Sequence, residues 1–181
     1  ADVVGYSRLM GSNEDDTIKR LKQFRNVFSA RIAQTNGRVV NAPGDSILAE
    51  FTSVHDAVRS AVDIQQTLAE ENATLPEDKK MAFRLGINLG DVVVEDDAIY
   101  GNGVNVAARL ESLAEPGGIT VSGSVYDSVR DQIQLVFEST GEQSVKNIAN
   151  PVATYKVLIQ ASQASTANAS VDDGNKGPFK I

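Results

Sequence analysis

Apolar residues recur along this chain at two rhythms, and the switches between them mark out its elements. Ile18, Leu21, Phe24, Phe28 and Ile32 follow at steps of three and four, which places them on one face of an α-helix. Ser12 with Asp15 reads as the capped start of that helix, and Gly37 as its stop. A second helical stripe runs through Val54, Val58, Ala61, Ile64 and Leu68, opened by Ser53 and Asp56. Between the two, residues 38–41 and 47–51 are short β-type runs on either side of Ala42-Pro43-Gly44-Asp45, a turn signal, so they predict a hairpin. Residues 74–80 are a polar loop, and 83–89 with 92–95 read as a second strand pair. Residues 101–114 are helical, 119–121 a strand leading into a short helix at 124–130, and 136–138 and 152–159 close with strand.

That order predicts an α+β fold: a ferredoxin-like sandwich with a βαββαβ core and a C-terminal α/β extension. The opening Ala-Asp-Val-Val-Gly-Tyr reads as the end of a strand already under way, so a longer parent protein is expected. From residue 160 the chain turns to Ala, Ser, Thr, Asn and Gly with hardly a large apolar side chain. Such a segment cannot bury enough surface to stay ordered. The expected organisation is a domain over 1–159 and a flexible linker or tail over 160–181.

Charge and composition narrow the chemistry. Seventeen Lys and Arg against 24 Asp and Glu leave a net charge of −7. This argues against nucleic acid and anionic membrane surfaces as partners, since both demand basic surface. A polyphosphate substrate would need a metal cation to supply the missing positive charge. With no cysteine and one histidine among 181 residues, disulfides, thiol catalysis, zinc–cysteine sites and multi-histidine metal sites are excluded. No apolar run approaches the ~18 residues of a membrane span, and no signal peptide is visible, so a cytoplasmic setting is expected.

Asp2, on the first strand, and Asp45, at the hairpin tip, can converge if that strand runs beside the hairpin. Two carboxylates so close repel unless a cation lies between them, and oxygen ligands favour Mg²⁺ or Mn²⁺ over zinc. Read alone, Gly44-Asp45 is ordinary turn chemistry. Asn105 and Arg109 stand four apart on one helix and share a face, where a solvated surface is the ordinary reading. Gly101-Asn-Gly103-Val lacks the further glycine, and the Gly-Lys-Ser/Thr, of a phosphate loop. His55 reads as a surface residue with no nucleophile beside it.

Four blocks then occur in order: Asp2-Val-Val-Gly-Tyr-Ser, Pro43-Gly-Asp45-Ser-Ile-Leu-Ala-Glu-Phe, Gly86-Ile-Asn-Leu-Gly90-Asp-Val, and Tyr100-Gly-Asn-Gly-Val-Asn105-Val-Ala-Ala-Arg109-Leu. Together with Glu115-Pro-Gly-Gly-Ile and Val145-Lys146-Asn-Ile, they resemble the catalytic domain of the class III nucleotidyl cyclases over about residues 1–158. The resemblance implies conversion of ATP to cyclic AMP and pyrophosphate in a homodimer with both active sites at the interface. It implies two Mg²⁺ or Mn²⁺ ions on Asp2 and Asp45, and phosphate contacts from the backbone of Val4, Gly5, Tyr6 and Ser7. It assigns the ribose to Asn105 and the α-phosphate charge to Arg109, both from the partner chain, and a triphosphate contact to Lys146.

Two positions depart from that pattern. Adenine-specific members resembling this chain carry lysine where it has Asn41, and aspartate or threonine where it has Ala98, with Asp97 adjacent. Asn41 can both donate and accept, so half of the polar recognition that rejects a wrong base is missing. GTP is therefore the alternative to ATP. A catalytically weak or silent nucleotide-binding dimerisation module is the alternative to a working cyclase.

Overall fold

One glycine, Gly86, decides how closely a helix can lie on the sheet of this chain. The computed structural model describes residues 1–95, 98–144 and 151–159. In chain order the first half holds β1 (Asp2–Val3), α1 (Tyr6–Ser12), α2 (Glu14–Gln34), β2 (Gly37–Asn41), β3 (Leu48–Phe51) and α3 (Val54–Ala73). The second half holds β4 (Phe83–Ile87), β5 (Val93–Glu95), β6 (Ala98–Tyr100), α4 (Asn102–Leu113), β7 (Ile119–Ser122), α5 (Gly123–Val129), β8 (Val136–Gln143) and β9 (Val152–Leu158). Five strands form one sheet in the order β1-β4-β7-β9-β8. Its pairs are antiparallel except β4 with β7.

Helices cover both faces of that sheet. Phe24 and Phe28 of α2 meet the ring of Phe83 at centroid distances of 6.1 and 4.9 Å. Val58, Ile64 and Leu68 of α3 and Val125 and Val129 of α5 join the same buried cluster. Each such side chain contributes about 1.5–3 kcal/mol by leaving water. On the opposite face α4 buries Val106 and Leu110 as a second, smaller cluster. Successive strand residues point to opposite faces, so Leu85 goes to the first cluster while Gly86 meets α4. A Cβ on Gly86 would overlap the backbone at Ala107 and Glu111. Only glycine lets α4 lie this close to β4.

The expected α+β sandwich is present, with three local differences. Asn13, not Ser12, caps α2: its side chain accepts from the Asp16 N–H at 3.0 Å, while the Ser12 hydroxyl donates back to the Arg8 carbonyl. The expected helix is α2, which starts at Glu14, and a separate short helix, α1, precedes it where none was expected. Secondly, the 92–95 segment does not pair with β4; β5 pairs with β6 in a separate hairpin, because the chain turns away at Gly90 under the first turn of α4, where Gly103 lies against Asp91. Thirdly, β2 and β3 form their own two-stranded sheet. Near β1 they are tied by the Ile47 N–H, which donates to the Ala1 carbonyl at 2.8 Å.

Candidate active site

The first expected pair of residues does come together. Asp2 leaves the sheet edge on the face of Arg84, its cross-strand partner. Asp45 lies in a turn closed by the Ser46 N–H onto the Pro43 carbonyl at 3.0 Å. Gly44 there has φ +56°, a left-handed conformation that glycine adopts without a Cβ penalty. The Ser46 hydroxyl donates to Asp2 Oδ1 at 3.0 Å. This bond links the hairpin turn to the first strand.

The electrostatics agree with that proximity. The Asp45 carboxyl is raised above the ordinary aspartate range, by burial foremost and then by the charge of Asp2. Arg25 pulls in the other direction. Glu111, on α4, is raised too, by burial first and also by the charges of Asp2 and Asp45. Arg84 Nη2 lies 3.4 Å from Asp2 Oδ2 and 3.7 Å from Glu111 Oε1, so its guanidinium partly offsets those two carboxylates while Arg25 acts on Asp45. Among the described residues no group of three or more His, Cys, Asp or Glu side chains could hold a metal by itself. The pair Asp2 and Asp45 nonetheless fits a hard divalent cation: both offer oxygen, their charges disfavour one another, and a bound polyphosphate can complete the coordination.

The backbone around β1 divides. The Val4 N–H donates to the Ala82 carbonyl at 2.9 Å, so it is committed to the strand and not available to a phosphate, contrary to expectation. Gly5, with φ +66°, caps α1, and Tyr6 and Ser7 form its first turn, where N–H groups lack helical acceptors.

Asn105 and Arg109 go elsewhere. Gly103, Val104, Ala107 and Glu111 turn inward along α4, which leaves Asn105, Ala108 and Arg109 on its exposed side. Within one chain they do not join Asp2 and Asp45. Asn41 ends β2 and is exposed, Ala98 starts β6, and β6 lies against β2. Lys146 and Asp97 lie outside the described residues. His55 is at the surface as expected, 3.8 Å from Asp56.

Behind the carboxylates a cleft of about 730 Å³ opens between β3, β4 and α4. Its walls are mostly apolar, among them Phe28, Ile64, Leu85 and Ile87, and neither Asp2 nor Asp45 lines it. A triphosphate does not suit such walls. Sequence reasoning missed four residues that shape the site: Arg25, Ser46, Arg84 and Glu111. Ser46 had a signal, its place beside Asp45; the others are far away in sequence and had none.

The comparisons with known proteins converge on one answer. The chain matches the family "Adenylate and Guanylate cyclase catalytic domain" over residues 1–159. It is 43% identical over 153 residues, 84% of its own length, to "Putative adenylate cyclase 3" of Rhizobium meliloti (strain 1021). The matched part is 26% of that relative, so the chain spans about a quarter of it. A crystal structure of an adenylate/guanylate cyclase/hydrolase from Silicibacter pomeroyi is 41% identical and superposes with a TM-score of 0.82, covering 87% of this chain and 92% of that one. The adenylyl cyclase CyaB from P. aeruginosa, at 23% identity and a TM-score of 0.73 over 87% and 90% of the two chains, shares the fold. This chain belongs to the class III adenylate/guanylate cyclase catalytic domain family. No helix among its described residues is long and apolar enough to cross a membrane.

Proposed function

We propose that the domain converts ATP to 3′,5′-cyclic AMP and pyrophosphate for intracellular signalling, as a homodimer whose two active sites are each shared between chains. The observation that carries this reading is the bond from Ser46 to Asp2: it ties the turn bearing Asp45 to a strand bearing a second carboxylate, at a site whose charges call for a cation. Two Mg²⁺ or Mn²⁺ ions bound there would favour loss of the ribose 3′ proton and neutralise the triphosphate. Asp2 and Asp45 hold them, and the N–H groups of Gly5, Tyr6 and Ser7 orient phosphate oxygens. From the partner chain, Asn105 positions the ribose and Arg109 stabilises negative charge growing at the α-phosphate. The 3′-oxygen bonds to the α-phosphorus while the bond to the bridging oxygen breaks, and pyrophosphate leaves. Lys146 contacts the triphosphate, residues 160–181 serve as a linker, and the domain draws on the cytoplasmic nucleotide pool.

The exposed position of Asn105 and Arg109, away from Asp2 and Asp45 in one chain, supports the shared site, because a two-fold axis can bring the groups together twice. Asp45→Ala and Arg109→Ala homodimers are each expected to be inactive with Mn²⁺ and ATP. Mixed chains should recover about a quarter of wild-type activity, since half the dimers are heterodimers with one intact site of two. A mixture that stays dead after labelled chains have exchanged refutes sharing. Retention of more than about a tenth of the activity by Asp45→Ala alone, under ~1.4 kcal/mol of barrier, refutes the metal site.

Asn41 and Ala98 favour a second reading, a weak or silent nucleotide-binding module with GTP competing for the site. Nucleotide binding without a cyclic product from either ATP or GTP would establish it.

A further inference from the structure

We propose that Arg25 is a positioning residue for Asp45. Its guanidinium reaches from α2 to the β2–β3 turn, where Nη2 donates to the Ala42 carbonyl at 2.7 Å and also to the Gly44 carbonyl. One amino group thus carries two hydrogen bonds to a single turn, and the two acceptors bracket Pro43. Arg25 Nε is buried with no hydrogen-bond partner.

The geometry makes the consequence specific. Gly44 has two flexible dihedrals and no side chain to hold it, and it directly precedes Asp45. With its carbonyl held by Arg25 and the Ser46 hydroxyl held by Asp2 at 3.0 Å, the turn is clamped on both sides of Asp45. The clamp fixes the direction in which the Asp45 carboxylate leaves the backbone. It also puts a guanidinium near enough to act on the charge of that carboxylate, while leaving the carboxylate oxygens themselves to a ligand. Arg25 therefore acts on the site only through Asp45. The inference rests on the reading that Asp2 and Asp45 hold divalent cations.

The test is Mn²⁺ binding to the full chain, followed by electron paramagnetic resonance of the free ion, with wild type, Arg25→Met and Asp45→Asn side by side. Loss of a group that orients a metal ligand typically weakens binding 10–100-fold. Arg25→Met should weaken Mn²⁺ binding by about tenfold or more, and at saturating Mn²⁺ its kcat should fall more than its KM for ATP changes. Tyr126→Leu, which disturbs the stacked Tyr126–Tyr155 pair between α5 and β9, should lower Tm without changing Mn²⁺ affinity. A folded Arg25→Met with affinity within about twofold of wild type overturns the proposal. Should Arg25→Met fail to fold, Arg25→Lys decides: about threefold or more weaker binding supports the clamp, and wild-type affinity overturns it. If Asp45→Asn binds Mn²⁺ as wild type does, the metal reading itself fails and takes this proposal with it. Loss in Asp45→Asn but not in Arg25→Met removes Arg25 alone.

Discussion

The two halves of the proposed active site differ in how much of their geometry one chain provides. Around Asp2 and Asp45 one chain supplies several braces: Ser46 and Arg84 hold Asp2, Arg25 holds the turn, and Gly86 lets α4 bring Glu111 alongside. On the outer side of α4 the reverse holds. Asn105 and Arg109 are exposed, and among the described residues no hydrogen bond or ion pair engages the Arg109 guanidinium. The hairpin leading into α4 is open as well, with Val93 and Val94 63% and 60% exposed. A single chain pre-organises the half that must hold repelling charges, since those charges would otherwise push the turn and the strand apart. It leaves open the half that, in the proposed dimer, gains its geometry by meeting a partner chain.

Breaking the open half tests that contrast most severely. Val93→Asp with Val94→Asp puts two charges on side chains that are already solvated in the single chain, so Tm should change little. If the hairpin is covered in the active dimer, sedimentation should show a monomer and activity should fall by about a hundredfold, since charges in an apolar interface are costly. A double variant that remains dimeric and active would move the interface elsewhere.

A smaller effect sharpens the comparison at the strands proposed to read the base. Asn41→Lys with Ala98→Asp restores a donor and an acceptor on β2 and β6, strands that lie against each other. The preference for ATP over GTP should rise by about tenfold, ~1.4 kcal/mol. Competition kinetics with both nucleotides measures it. A strong ATP preference in the unaltered domain would mean that other residues read the base.

The smallest effect probes the braced half without substrate. Because the Asp45 carboxyl is raised in the folded protein, ionising it opposes folding. Its favourable contribution is complete below the ordinary aspartate pKa and is lost as pH rises through the raised value. Asp45→Asn should therefore increase Tm at neutral pH without metal. The gain should be roughly 1–3 °C, small because water screens a partly exposed group, and it should vanish as pH falls below the ordinary aspartate range. Adding Mn²⁺ should reverse the order of wild type and variant.

Much of this molecule was legible in advance, for identifiable reasons. The stripes through Phe24, Phe28 and Ile32 and through Val58, Ile64 and Leu68 are periodic within one element, so they predict helices and their buried faces without any knowledge of neighbours. Ser53 as the cap of α3, and the turn at Gly44-Asp45, rest on equally local chemistry. Local spacing also put Asn105 and Arg109 on one face. What failed was pairing. The partner of β5 is chosen by whether the chain can pass Gly90 and Gly103, a matter of two backbones meeting, and the Asn13 cap won over Ser12 because α1 already claims Ser12.

The tertiary structure alone decided which distant groups serve the two aspartates. Arg25, Arg84 and Glu111 come from a helix, a strand and another helix that share no sequence rhythm with Asp2 or Asp45. They meet because Gly86 permits one close approach and because α2 lies over the β2–β3 turn. Local periodicity specifies which face an element buries. Electrostatic support for a site depends on distances across elements, and those exist only once the layers have closed.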